Sequence, residues 1–201
     1  LFTKTDGTLI RTSEGKRSKL VGVCEVFSRS VRFFLVSVEN GLAVALALKD
    51  RILAWGLPEK ISIDNGRPYK NRRVLDALNA LDISVHINLP GEPVQKPFIE
   101  RSFRTLSEQL FRRLSGYSGN SVENRPNEIQ VEYSKDELQD IMDRWISGVY
   151  AETPHSSTGE RPRERLSPSG FTPKMVSEED LDVLLMQKFT RRVRRGCIAF
   201  D

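Results

Sequence analysis

The sequence predicts an α/β fold in which a mixed sheet is flanked by helices. Residues 20–27 and 31–38 are rich in β-branched and aromatic side chains and are separated by a short Ser-Arg-Ser turn, which predicts a β-hairpin. Beyond this hairpin, helical and strand patterns alternate as far as about residue 114, which is typical of a sheet with helices on both faces. A chain of 201 residues has room for one core domain with appendages.

The elements after the hairpin are defined by the residues at their ends. Asn40 is a typical helix N-cap, and Gly56 followed by Pro58 is a typical helix stop. Residues 60–64 are an apolar run too short for a helix and bounded by turn residues, which predicts a buried strand. The predicted core elements are a helix over 40–55, a strand over 60–64, a helix over 71–81, a strand over 83–89 and a helix over 97–114.

The carboxyl-terminal part of the chain is predicted to be less regular. A capping box at Ser134 predicts a helix to about Tyr150, and four prolines within 151–175 predict an irregular segment after it. Ser177 is predicted to open a short helix, and a strand pattern follows near the end of the chain. The predicted division is a core over 1–115, a linker and a helix that completes the core over 116–175, and a further, truncated domain over 176–201.

Composition excludes several classes of protein. No apolar run approaches the roughly 18 residues that cross a bilayer, so a membrane protein is excluded. Cys24 and Cys197 lie far apart in a chain without a secretory leader, so we expect reduced, buried thiols in a cytoplasmic protein, cut from a longer one. The only histidines, His86 and His155, do not suggest a zinc or hydrolase site. The net charge of +4 permits a polyanionic partner.

Two acidic residues stand where a metal site is expected. Asp64 follows a predicted buried strand, and ligands of open α/β sheets bind at the carboxyl ends of strands. Glu100 lies in the first turn of the helix predicted from Pro97, and 35 residues separate it from Asp64, enough to bring that helix back beside the strand. Each acid also has a structural interpretation: Asp64 could start an Asn-Gly turn, and Glu100 could pair with Arg104 one turn on.

Motifs around both acids resemble the DDE transposase and retroviral integrase superfamily. The matching stretches are 56–66, which contains Ile-Ser-Ile-Asp-Asn-Gly, 90–93, which reads Pro-Gly-Glu-Pro, and 96–106, which contains Phe-Ile-Glu-Arg-Ser. Residues 150–159 and 184–196 look like the continuation found in phage Mu type bacterial transposases. The resemblance implies a ribonuclease H-like core followed by the start of a small β-barrel at 176–201.

The resemblance implies Asp6 as the first of three catalytic acids. In many relatives this acid lies in the first strand with Thr two residues on, as in Asp6-Gly7-Thr8. An Asp-Gly pair is also the typical turn of a hairpin, in which case the first acid lies upstream of Leu1. Residues 12–19 are polar and glycine-broken and make a better hairpin loop, which places Asp6 in strand one. Glu25, where relatives carry Asp, is interpreted as structural.

The chemistry implied by the resemblance needs oxygen ligands and metal. The implied activity is that of a DDE-type polynucleotidyl transferase, a transposase that nicks the 3′ ends of DNA and transfers them to target DNA. Charge develops on both the attacking and the leaving oxygen in such reactions, and two Mg²⁺ (or Mn²⁺) ions stabilise both. Asp6, Asp64 and Glu100 are the expected catalytic residues and metal ligands.

Basic residues supply candidate contacts to double-stranded DNA, which would comprise transposon ends and target. A basic run close to the end of the chain contains no acid, and such a run suits phosphate neutralisation or is simply a solvated surface. The predicted DNA-binding residues are Lys96, Arg101, Arg104, Lys188, Arg191, Arg192, Arg194 and Arg195. The resemblance further implies a homo-multimer on DNA and a bacterial, nucleoid-associated location.

Two other functions stay open at this level. A catalytically inactive, DNA-binding or regulatory relative is expected if Asp6 is only a turn residue and no acid replaces it. A metal-dependent nuclease that hydrolyses without joining would need no continuation beyond Tyr150, so residues 150–195 argue against it.

Overall fold

The computed structural model describes residues 2–13, 17–88, 97–117, 131–166 and 172–185, with the backbone alone for 2–10 and 17. The strands are β1 Phe2–Arg11, β2 Arg17–Cys24, β3 Val31–Val36, β4 Lys60–Ile63 and β5 Ser84–Ile87. The helices are α1 Gly41–Trp55, α2 Arg72–Ala80, α3 Pro97–Gln109, α4 Lys135–Trp145, α5 Pro162–Leu166 and α6 Glu178–Leu185. A 3₁₀ turn at Phe111–Arg113 follows α3, and a π-helical turn at Ile146–Tyr150 continues α4.

The five strands form one mixed sheet with the order β3-β2-β1-β4-β5. Strands β1, β2 and β3 are antiparallel neighbours, whereas β4 is parallel to both β1 and β5. One row of paired residues crosses the whole sheet and consists of Val31, Cys24, Phe2, Ser62 and His86. This row gives a common level against which the site residues can be placed.

One face of the sheet is covered by α3 and α4. Phe103 of α3 packs on Gly22 and on Phe33, with 5.1 Å between the two ring centroids. A Cβ atom at residue 22 would lie 2.6 Å from the Phe103 Cζ, so only glycine permits this approach. Gln139 of α4 donates to the Phe33 carbonyl at 2.9 Å and accepts from the Leu35 amide at 2.8 Å, which extends the hydrogen bonding of edge strand β3.

The opposite face is covered by α1, α2 and α6, which bury an aliphatic core. This core contains Val44, Leu48, Ile61, Ile63 and Leu78. Both N-caps here follow the sequence signals: Asn40 accepts from the Ala43 amide at 2.9 Å, and Asn71 from the Arg73 amide at 2.9 Å. Gly56 ends α1 with φ of 79°, a conformation that favours glycine.

Most predicted elements are present. Asp6 and Gly7 lie inside β1, where Asp6 pairs with Leu20, so Asp6 is in the first strand as predicted and not at the tip of a hairpin. Two other predictions differ from the structure. The helix from Pro97 gives way at Gln109 to the 3₁₀ turn and does not continue to residue 114. The segment 151–175, predicted to be irregular, contains α5, because Pro162 stands at a helix start, where proline needs no amide donor.

The carboxyl-terminal predictions are partly outside the described residues. The capping box of α4 is present, since Ser134 and Glu137 bond each other's backbone amides. Ser177 caps α6 by accepting from the Asp180 amide at 3.1 Å. The predicted strand near the end of the chain, and with it the start of a β-barrel, falls on residues that the structure does not describe.

Candidate functional site

Asp64 lies at the carboxyl end of β4, as the sequence predicts. It follows Ile63, the last residue of β4, and is half-buried. Because β4 runs between β1 and β5 in the sheet, the backbone at Asp64 leaves the sheet between two parallel neighbours. Such a position is where open α/β sheets hold their ligands.

Asn88 supports this end of the sheet and was not singled out from the sequence. Its side chain is buried, and its Oδ1 accepts from the Ser62 hydroxyl at 2.8 Å. The Asn88 amide donates to the Ile63 carbonyl at 3.0 Å, next to Asp64. The bonds fix the backbone from which Asp64 projects. The sequence analysis places Asn88 inside the strand predicted over 83–89, so no sequence signal marked it.

Glu100 is exposed in the first turn of α3 and lies near the same level of the sheet. Phe103 packs on Gly22, which pairs with Lys4 of β1. The chain after α3 reaches the end of β1, where the Arg11 amide donates to the Gly116 carbonyl at 2.9 Å, so α3 runs in the direction of β1. Glu100 precedes Phe103 by three residues, about 4.5 Å of helix rise, which places it close to the row through Phe2 and Ser62.

Asp6 lies further along the sheet than the other two acids. It is four residues beyond Phe2, which pairs with Ser62, so its backbone is about 13 Å past that row. Asp64 is two residues beyond Ser62 in the same direction, about 7 Å. The side chain of Asp6 is outside the described set. Its role as the first catalytic acid therefore stays a prediction.

Asp6, Asp64 and Glu100 are chemically suitable ligands for a divalent cation, because carboxylates are hard oxygen donors that Mg²⁺ prefers. Among the side chains that the structure describes, no group of three or more acidic, histidine or cysteine residues lies close enough to hold a metal. The predicted set of three includes Asp6, which is not among those side chains. The described part of the site consists of Asp64 and Glu100.

Two of the predicted DNA-binding residues are exposed on the same helix as Glu100. Arg101 and Arg104 lie on the solvent side of α3. Lys96 and the basic run near the end of the chain lie outside the described residues, so their predicted DNA contacts stay predictions. The run consists of Lys188, Arg191, Arg192, Arg194 and Arg195.

Glu25 has the structural role that the sequence suggested. Its carboxylate accepts from the Phe27 amide at 3.0 Å and from the Ser28 amide at 2.6 Å and so closes the turn between β2 and β3. Burial alone would raise the pKa of Glu25, but the hydrogen bonds from Ser28 and Phe27 outweigh it and lower the pKa. The turn brings Arg29 beside the first turn of α3, which no sequence signal indicated.

The remaining candidates for chemistry have ordinary positions. Cys24 is buried among the apolar side chains under α3 and α4, and burial, reinforced by Glu25, raises the pKa of its thiol to about 12. It is therefore not a reactive thiol, as predicted. His86 lies in β5, and Cys197 lies outside the described residues.

Comparisons with known proteins agree with this geometry. Residues 42–116, which include Asp64 and Glu100, match the model of the TnsB C-terminal domain. The transposase of transposon Tn552 from Staphylococcus aureus is 25% identical over 182 residues, which cover 85% of this chain and 37% of that protein. The Gag-Pol polyprotein of walleye dermal sarcoma virus is 25% identical over 91 residues, 45% of this chain and 5% of the polyprotein. The chain thus spans well under half of the length of either relative.

Solved structures show the same fold. A chain of the simian T-cell lymphotropic virus intasome has a TM-score of 0.63 at 17% identity, over 88% of this chain and 58% of the viral one. The magnesium-bound integrase catalytic core of HTLV-2 has a TM-score of 0.56 at 14% identity, over 83% of this chain and 95% of that core. The integrase core of BIV has the same TM-score at 18% identity, over 81% and 91% of the two chains.

The strand order and the likeness to the integrase cores show a ribonuclease H-like fold. The family match, the transposase relative and the integrase-like fold support the predicted superfamily of DDE transposases and retroviral integrases. The predicted ribonuclease H-like core is confirmed by the fold.

None of the helices in the described part of the chain is both long and apolar enough to cross a membrane.

Proposed function

We propose that the chain is the catalytic core of a bacterial DNA transposase that nicks the 3′ ends of its element and joins them to target DNA. The observation that carries the proposal is the placement of Asp64 and Glu100, from β4 and α3, near one end of the sheet. The match of this segment to the TnsB C-terminal domain and the likeness to a transposase support it. Double-stranded DNA and further copies of the chain are the proposed partners.

The acids are proposed to hold two Mg²⁺ ions, which would stabilise charge on the attacking and leaving oxygens of the phosphodiester. Asp64 would contribute its carboxylate from a backbone held by Asn88 and Ser62. Glu100 would contribute from the start of α3, where the helix dipole favours a negative charge. Water would attack first, and the freed 3′-hydroxyl of the DNA would attack in the joining step.

The decisive test replaces Asp64 with Asn, which keeps the shape of the side chain and removes its charge. We expect nicking of supercoiled plasmid in Mg²⁺ to fall by at least about 100-fold, and joining of a labelled duplex end to fall with it. Binding to duplex DNA should be nearly unchanged. The matched control is Asp82→Asn, because Asp82 lies in the exposed turn before β5 with φ of 57°, which Asn also tolerates. Unchanged nicking by the Asp64→Asn chain would refute the proposal.

The first acid needs a separate test. Asp6→Asn is expected to abolish nicking if Asp6 is the third ligand. Full activity of this variant in a longer form of the protein would move the first acid upstream of Leu1, in agreement with the position of Asp6 beyond the Phe2 row. Nicking without joining by the unaltered chain would favour a simple nuclease over a transposase.

A further inference from the structure

A positively charged surface lies beside the first turn of α3, and the proposed chemistry does not use all of it. Its charge comes from Arg29 and Arg101, and the uncharged His155 interacts with both of them from a third segment of the chain. The Cζ of the Arg29 guanidinium lies 3.8 Å from the centroid of the Phe98 ring. Phe98 and Arg101 are three residues apart and share one side of α3, so Arg29 and Arg101 flank the same helix turn.

Contacts from distant segments hold Arg29 in this place. Tyr150 ends the π-helical turn, and its hydroxyl donates to the Arg29 carbonyl at 2.9 Å. The Ser30 hydroxyl donates to the Pro162 carbonyl at 3.3 Å. Arg29 has φ of 67°, a conformation that residues other than glycine rarely adopt. A costly backbone conformation fixed by tertiary contacts is often found at functional sites.

His155 completes the surface from the loop that follows α4. Its Nδ1 lies 3.4 Å from the Ser157 amide and 3.0 Å from the Ser157 hydroxyl. Because the amide can only donate, Nδ1 is an acceptor and the ring proton is on Nε2. Burial, and then the positive charges of Arg29 and Arg101, lower the pKa of His155. The ring is therefore a neutral donor through Nε2 at neutral pH.

The neighbouring acids are occupied elsewhere. Glu25 is engaged by the amides of its own turn. On the loop with His155, Glu160 pairs with Arg165 and Glu152 with Arg163. Within the described parts of the chain, neither Arg29 nor Arg101 forms a salt bridge with a carboxylate. Among the residues that the structure describes, this surface thus has two arginines that form no salt bridge, a few residues from Glu100.

We propose that Arg29, Arg101 and His155 bind the backbone phosphates of a DNA duplex next to the acidic site. The proposal rests on the proposed function and adds Arg29 and His155 to the residues that contact its substrate. Guanidinium groups match phosphate oxygens in shape and charge, and a neutral imidazole N–H donates one further hydrogen bond. Such contacts fix the position of the duplex and do not read its sequence.

The test measures binding of a fluorescent 25-base-pair duplex by anisotropy at pH 7.5 over a range of salt concentrations. Each cation that neutralises a phosphate contributes about 0.9 to the slope of log K against log salt. Arg101→Ala and Arg29→Gln should each weaken binding severalfold and reduce the slope by about 1. His155→Ala should weaken binding with the slope unchanged, because a neutral donor releases no counterion.

Two further variants separate charge from folding. Arg29→Lys keeps the charge and should keep the slope, even if the loss of stacking on Phe98 lowers the melting temperature. Arg112→Ala is the matched control, because Arg112 is an exposed arginine in the 3₁₀ turn beyond the end of α3. It should leave both the affinity and the slope unchanged.

The proposal is overturned if Arg101→Ala and Arg29→Gln bind DNA with the affinity and slope of the unaltered chain, or if Arg112→Ala has an equal effect. It is also overturned if the unaltered chain does not bind the duplex. Failure of the proposed function would give a different result: the Asp64→Asn chain would nick DNA normally. That result does not depend on the salt slope of DNA binding. The same loss on duplexes of unrelated sequence would support a contact to phosphate.

Discussion

The two faces of the sheet are packed by different kinds of residue and held by different kinds of contact. Under α3 and α4 the core is aromatic and includes Phe33, Phe103, Phe111, Trp145 and Tyr150. Under α1, α2 and α6 it is mostly aliphatic, and the helices there begin with side-chain caps from adjacent residues. The face with Glu100 is additionally tied by side chains that bond the backbone more than 100 residues away.

Exact placement matters more on one face than on the other. An aliphatic core tolerates small shifts between its layers, because dispersion contacts have no preferred direction. The proposed function requires an acid from α3 to act together with an acid from β4, so hydrogen bonds with fixed geometry are useful on that face. Gln139 bonds β3 at 2.8 and 2.9 Å, and Tyr150 bonds the turn after β2 at 2.9 Å. Changes on the two faces should therefore have separable effects on activity and stability.

The largest effect is expected for Glu100→Gln on the site face. Loss of the carboxylate should reduce plasmid nicking by at least about 100-fold with little change in stability, because Glu100 is exposed. Glu108→Gln is the matched control, since Glu108 is exposed two turns further along α3. Equal nicking by the two variants would remove Glu100 from the site.

Phe103→Ala should be the most destabilising change on the site face. Truncation of a buried aromatic side chain costs about 3 to 5 kcal/mol, and here it also removes the contact with Phe33. Leu78→Ala on the opposite face should cost about 2 to 5 kcal/mol but leave activity per folded molecule unchanged. Urea unfolding and nicking assays together measure the difference. If Phe103→Ala and Leu78→Ala lose the same nicking activity at the same folded fraction, the distinction between the two faces is wrong.

Gly22→Ala tests the close approach of α3 to the sheet. The added methyl group would lie 2.6 Å from the Phe103 Cζ, so the ring or the helix must move. We expect a loss of about 1 to 3 kcal/mol in unfolding free energy, together with reduced nicking, because Glu100 is on the same helix. Gly148→Ala is the control, since nothing lies within 4 Å of a Cβ atom at that position.

Tyr150→Phe tests the tie between the π-helical turn and Arg29. The ring contact with Trp145 is kept, and only the hydrogen bond to the Arg29 carbonyl is lost. A loss of about 1 kcal/mol is expected, with weaker duplex binding at an unchanged salt slope. Tyr133→Phe is the matched control, because it also removes one tyrosine hydroxyl but at a different place in the chain. Full DNA affinity of Tyr150→Phe would show that Tyr150 does not position Arg29.

The smallest effect is expected for Glu25→Gln and depends on pH. The folded chain lowers the pKa of Glu25, so the stabilisation by its carboxylate is present above the usual glutamate range and is lost as pH falls through the lowered pKa. At pH 7 the variant should be less stable by up to about 1 kcal/mol. The difference between the two melting temperatures should shrink as pH falls from the usual glutamate range through the lowered pKa of Glu25. A constant difference down to pH 3 would contradict the role of the charge.

Local sequence pattern was sufficient to predict most of the helices and strands. Asn40, Gly56 and Ser134 mark helix ends through bonds to residues within four positions, which is why local pattern was sufficient there. The positions of Asp64 after a strand and of Glu100 at the start of a helix were predicted because each stands beside a boundary that its neighbours define. Local pattern failed at the end of α3, which stops at Gln109, and at Pro162, because proline is found both in irregular segments and at helix starts.

The contacts between distant residues are a product of the tertiary structure. Arg29 and Tyr150 are 121 residues apart, and Ser62 and Asn88 are 26 apart, yet each pair is joined by one hydrogen bond. No local pattern encodes such pairs, because they depend on how strands and helices are ordered in the sheet. Asp6 is a similar case. The sequence placed it in a strand, but its position relative to Asp64 depends on the register between β1 and β4.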